Sequence, residues 1–136
     1  MKKQLFALLG LGLLLATVSA YAQTTNLKAD VPFKFVVAGR AMPNGEYTIR
    51  TLNGIDHALV IGSEGQKPSI FLAHSCVSLK PVKSKLVFTR YGDQYFLSEI
   101  WTEGNEAGYQ LTKSRREVEM ARSDSPETVM VLAELR

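Results

Sequence analysis

From residue 31 onward the chain is a succession of short β-branched and aromatic runs, each cut off by a glycine or proline turn before it reaches helical length. That punctuation constrains the fold more than any other feature. Phe33, Phe35 and Val37 share one face at period two, the spacing of a half-buried strand, and Pro32 suits a strand start or edge because it cannot donate to a ladder. Ala38-Gly39-Arg40 loosens the chain, and Met42-Pro43-Asn44-Gly45 reads as a turn. Glu46–Thr51 resumes as a strand with Tyr47 and Ile49 on one side and Glu46, Thr48 and Arg50 on the other. Leu52-Asn53-Gly54 turns again, His57–Ile61 is an apolar strand, and Gly62–Gly65 is the next turn.

Ser69–Val77 is apolar on both faces at its start, which predicts a central strand. Lys80–Lys85 is a basic loop broken by Pro81. The clearest hairpin follows, with arms Lys85–Tyr91 and Tyr95–Trp101 around Gly92-Asp93-Gln94. Its first arm places Leu86 and Phe88 on one face. Its second alternates Phe96, Ser98 and Ile100 with Tyr95, Leu97, Glu99 and Trp101. After a loop over 102–108, Tyr109–Leu111 reads as a short strand, and residues 113–122 read as a charged surface helix or crossover. Ser123-Asp124-Ser125-Pro126 ends it. Thr128–Leu132 is too β-branched for an unaided helix and reads as a closing strand, although Ser125-Pro126-Glu127 resembles a helix start. Residues 23–30 are polar and read as a frayed lead-in. Seven or eight strands at this spacing predict an all-β fold, either an antiparallel β-sandwich or a small β-barrel, with one short helix near 113–122.

The first 22 residues stand apart. Lys2 and Lys3 precede an uncharged, mostly apolar run from Leu5 to Val18, and Ala20-Tyr21-Ala22 offers small residues at −3 and −1 of a cut before Gln23. This is the three-part pattern of a secretory leader, and the run is shorter than the roughly 20 residues a spanning helix needs. The expectation is an exported protein, periplasmic or extracellular, with residues 1–22 as signal peptide, 23–136 as one β-rich domain and no transmembrane segment after cleavage. Cutting at Ala22–Gln23 leaves 114 of 136 residues, enough to bury a core. It also takes two of sixteen cations, so fourteen face thirteen acids and the net charge becomes +1. A balance so near neutral gives no general argument for nucleic acid. Cys76 is the sole cysteine, so no internal disulfide can form, and a buried inert thiol is the simplest reading.

No reaction announces itself. His74 and Cys76 share a strand face, with His57 on what reads as the neighbouring strand, but they lack the close spacing of a zinc site. Cys76, His74 or His57, and Asp56 can be assembled on paper into a nucleophilic triad, which makes a small hydrolase the third-ranked reading. Glu46, Asp56, Glu99 and Glu103 lie at turns or on polar strand faces, where solvated surface is the commoner role than paired carboxylate chemistry. No metal, cofactor or catalytic residue is expected. Binding has better candidates. Lys80, Lys83, Lys85 and Arg90 gather near the base of the hairpin, and Lys113, Arg115 and Arg116 form a second basic cluster. Tyr91, Tyr95 and Trp101 flank the hairpin and could stack on sugar rings or anchor a partner if exposed.

The runs Val31–Val37, Met42–Tyr47 and Phe88–Leu97, with Trp101 and Lys113–Glu117, resemble those of small exported bacterial proteins of unknown function. The resemblance spans nearly all of the chain after the leader. It implies an exported β-rich domain and carries over no activity, cofactor or site. The sequence therefore predicts a non-enzymatic binding or envelope-associated module, with an envelope component, a glycan or another protein as partner. The alternative is a small barrel that carries an apolar ligand in its lumen.

Overall fold

Alternation of inward apolar and outward polar residues rolls the sheet until its two edges meet. The structure, a computed structural model, describes residues 26–52, 57–78, 83–104 and 107–135. The leader, the Ala22–Gln23 cut, the Asn53-Gly54 turn and Lys80-Pro81 lie outside that set. The strands are β1 (Asn26–Val31), β2 (Phe35–Val37), β3 (Arg40–Met42), β4 (Gly45–Thr51), β5 (Ala58–Ser63), β6 (Ser69–Val77), β7 (Lys85–Tyr91), β8 (Gln94–Trp101), β9 (Ala107–Leu111) and β10 (Glu127–Leu135). One helix, α1 (Arg115–Ser123), lies between β9 and β10. Eight strands close an antiparallel barrel in the order β8-β7-β10-β1-β4-β5-β6-β9, with β9 returning to β8. Of the two architectures expected, the chain adopts the barrel. Among the described residues no helix is long and apolar enough to cross a membrane.

β10 closes the ring as a strand, as its β-branched run predicts. It pairs with β7 on one side, Val129 opposite Phe88 and Val131 opposite Leu86, and with β1 on the other, Ala133 opposite Ala29. The described part of the lead-in expected to fray, from Asn26 on, is instead β1, a full barrel stave. Leu27, Ala29 and Val31 point inward, while Asn26, Lys28 and Asp30 point out and make the segment look polar when read linearly. The loose Ala38-Gly39 is also more ordered than expected. Both residues take positive φ, 46° and 86°, and form the two-residue turn of the β2–β3 hairpin.

Two further expectations need correction. β6 does lie between two strands, β5 and β9, but it is not buried on both faces. Phe71 and Ala73 enter the core, whereas Ile70 and Leu72 stand on the outer wall, 62 % and 71 % exposed. In β8 the strict alternation fails. Val87 faces Glu99 and Phe88 faces Leu97, so Ser98 is the extra residue of a bulge. Leu97 and Ile100 therefore both reach the core, and Phe96 turns outward to the ring of Tyr91 at 5.8 Å. Thr89 Oγ1 and Ser98 Oγ lie 2.5 Å apart across the bulge.

The interior is filled by the chain's own side chains. Phe88 meets Phe33 and Phe35 edge-on at 4.9 and 5.3 Å, and Phe35 meets Tyr47 at 5.1 Å. The Tyr47 hydroxyl donates to the Pro43 carbonyl at 2.5 Å, which satisfies the one polar atom this ring carries inward. An eight-stranded barrel is narrow enough for side chains to fill it, as here.

The candidate site is an outer cleft beside the hairpin

β8 shares one of its edges between two partners. β9 holds it at Glu99 and Ile100, and β2 takes over with a parallel pairing at Val36 and Phe96. The β2–β3 hairpin is thereby set against the wall where the β8–β9 seam stops. Its other tie is a hydrogen bond from the Arg40 guanidinium to the Ser69 hydroxyl. α1 connects β9, beside β8, to β10, beside β7, and so passes the tip of the β7–β8 hairpin. Ser114 caps it, its hydroxyl accepting from the Glu117 N–H at 3.2 Å.

These three elements enclose a cleft of about 510 Å³. Lys34, Phe35, Val36, Ala41, Met42 and Pro43 come from the hairpin and its flanks, Asp93, Gln94 and Tyr95 from the β7–β8 turn, and Arg116 from α1. Its volume falls in the range of about 300–1,000 Å³ usual for small-molecule sites. Carbon atoms of Phe35, Val36, Met42, Pro43 and Tyr95 make an apolar lining, and Lys34 and Arg116 bring two cations against the single carboxylate of Asp93. Tyr95 is rigidly held. Its ring stacks on Phe33 at 3.9 Å, the Arg90 guanidinium lies 5.5 Å from its centroid, and Arg90 Nε donates to the Gly92 carbonyl at 2.6 Å.

The residues singled out by sequence thus divide. Tyr95 and Arg116 line the cleft, and Arg90 supports it. Lys113, just ahead of α1, and Arg115, its first residue, are exposed but do not line the cleft. Tyr91 and Trp101 are buried, 1 % and 8 % exposed, and have structural work. The Tyr91 hydroxyl donates to Glu117 Oε2 at 3.4 Å, and the Trp101 indole N–H donates to Glu99 Oε2 at 2.9 Å. They form no exposed aromatic platform. Lys85 sits on β7 between Trp101 and Leu132, and Lys83 is exposed ahead of it, so these two lysines do not line the cleft, and Lys80 lies outside the described residues.

The residues considered for catalysis are engaged elsewhere. His74 Nε2 lies 3.2 Å from Thr112 Oγ1, and His57 Nδ1 lies 3.1 Å from Ser75 Oγ. His57 precedes β5 with φ 69° rather than lying within it. Burial pushes the Cys76 thiol up, Glu99 pushes it further, and a backbone hydrogen bond at Gly108 only partly opposes them, so the thiolate is disfavoured. Glu46 bonds Lys28 at 2.5 Å and stands on β4, four staves round the barrel from Glu99 on β8. The Glu103 N–H donates to Ser84 Oγ at 2.9 Å. Asp56 lies outside the described residues, among which no group of three His, Cys, Asp or Glu is placed to hold a metal ion.

Sequence reasoning missed the larger part of the cleft. Phe35 reads as the inward face of a strand, which it is, Met42-Pro43 reads as turn, and nothing local marks Lys34. Only the pairing of β2 with β8 brings them to Tyr95 and Arg116, far later in the chain. A second open cleft of about 610 Å³, lined by Arg40, Pro68, Ile70, Leu72 and Thr112 among others, lies toward β6. Comparison with known proteins finds no matching family model, no matching curated protein and no matching solved structure.

Proposed function

We propose that this chain is an exported, non-enzymatic binding module of the cell envelope, and that its outer cleft takes an amphipathic ligand with an anionic group. The observation that carries this reading is the pairing of an apolar lining with two cations, Lys34 and Arg116, in one cleft of ligand size. The apolar body of the ligand lies against Phe35, Met42, Pro43 and Tyr95, and the anionic group sits between the cations. Export rests on the leader pattern of residues 1–22. The outer cleft is preferred to a lumen site because Tyr47, Phe88, Leu27 and Ile61 already occupy the interior, each with essentially no exposed surface.

Lys34 and Arg116 are exposed, so reversing their charge leaves the core intact. The anionic aromatic amphiphile 8-anilinonaphthalene-1-sulfonate should bind the native protein with enhanced fluorescence. The paired substitution Lys34→Glu and Arg116→Glu should weaken that binding by about tenfold or more, since a hydrogen bond to a charged group contributes about 1.5–3 kcal/mol. A variant that folds normally and binds the dye as tightly as the parent chain would remove the cleft from consideration.

A further inference from the structure

α1 docks on the barrel in an unusual way. Its nine residues include Val118, 41 % exposed, and exposed Arg115, Arg116, Glu119, Ala121 and Arg122. Glu117 is the buried residue of the helix, 4 % exposed. Met120 is half-buried, so the one fully buried group the helix presses against the β7–β8 hairpin is a carboxyl. Burying a carboxylate is costly unless it is well paired. Among the described residues its side-chain hydrogen-bond partner is the Tyr91 hydroxyl, at the long distance of 3.4 Å. Lys113 is the nearby charge that favours ionisation. Across the cleft stand Asp93 on the hairpin turn and Lys34 ahead of β2, and Arg116 is the next residue back along the helix.

We propose that α1 is a protonation-controlled wall of the cleft: Glu117 holds the helix against Tyr91 while its carboxyl carries a proton, and the hold loosens when the carboxyl ionises. The role assigned to the cleft rests on the reading in the preceding subsection. Because Arg116 is adjacent to Glu117 and lines the cleft, loosening the helix withdraws one of the two cations that receive the anionic group. Desolvation raises the Glu117 carboxyl above its ordinary range, and Lys113 and the Tyr91 hydrogen bond oppose this only in part. A raised carboxyl binds more protons in the docked state than in the free one. Docking is therefore fully favoured below the unperturbed glutamate value of about 4.3 and weakens as pH rises from there to the raised docked value. A helix with so few apolar anchors opens at low cost, so a change of this size governs it.

The test is amide hydrogen exchange over residues 115–123 in the full chain without ligand, expressed as protection relative to intrinsic rates, from pH 4 to 8. β1 and β4 serve as internal standards. Protection of α1 should fall with rising pH, by up to about tenfold per pH unit inside the window. Glu117→Gln and Glu117→Leu should abolish that slope while the barrel strands remain protected. A flat profile in the parent chain, or a slope retained by either variant, overturns the proposal. No ligand takes part, so failure here leaves the cleft reading standing, and failure of dye binding leaves the exchange result as it is.

Discussion

Phe88→Ala should destabilise the barrel by about 3–5 kcal/mol, the largest single loss expected in the chain. The ring is wholly buried. It packs edge-on against Phe33 and Phe35, and its β-partners are Val129 of β10 and Leu97 of β8. The cost depends on whether neighbours can collapse into the space left behind. In a closed ring of staves each strand is held on both sides, so the wall cannot move inward as the edge of an open sheet can. At roughly 4 °C per kcal/mol for a domain of this size, the thermal midpoint should fall by about 12–20 °C. Urea unfolding monitored by far-UV circular dichroism gives the free energy directly, and a loss below about 1.5 kcal/mol would mean that Phe88 is not at a packed centre.

Gly108→Ala should be nearly as severe, for the opposite reason. A Cβ at this position would lie 2.5, 2.7 and 2.8 Å from Cε3, Cζ3 and Cδ2 of Trp101, so one of the two must move. The indole is not free to move, because its N–H is bonded to Glu99. Nor is the backbone, because among the described residues β8 and β9 pair at Glu99–Gln110 and Ile100–Tyr109, and this short seam completes the ring. Overpacking of this kind costs about 1–3 kcal/mol, and here the upper end is expected. Adding Trp101→Leu to Gly108→Ala removes the obstructing ring. The pair should therefore be less destabilised than the sum of the two single changes, which a double-mutant cycle in urea measures. Simple additivity would show that the indole does not lie over Gly108.

Most of the barrel was legible in local pattern. Tyr47 and Ile49 on β4 face inward as period two predicts, and the two arms of the β7–β8 hairpin and the β-branched β10 are strands where their β-rich runs place them. The pattern failed where an element was too short or too mixed to show a period. β1 carries Leu27 and Ala29 between charged and polar neighbours, β2 and β3 have three residues each, and the Ser98 bulge reverses the faces of β8 midway. The site was less legible than the fold for a physical reason. Tyr95 and Arg116 are conspicuous as an aromatic beside a hairpin and a cation in a basic run. Lys34, Met42 and Pro43 join them only through the parallel pairing of β2 with β8, a long-range contact that no local spacing encodes. Tyr91 and Trp101 misled because exposure and burial of an aromatic look alike in a strand sequence. The buried Glu117 behind one and the bare Gly108 beneath the other decide the matter.

The claim that the outer cleft binds an anionic amphiphile is tested most directly by native mass spectrometry of the protein extracted from the envelope of the cell that makes it. The chain should begin at Gln23 and carry a non-covalent adduct that organic extraction removes and identifies as an anionic molecule with an apolar body. The same preparation of the Lys34→Glu, Arg116→Glu variant should be free of that adduct. An adduct retained in full by the variant, or a ligand-free mass for the parent chain, would contradict the claim.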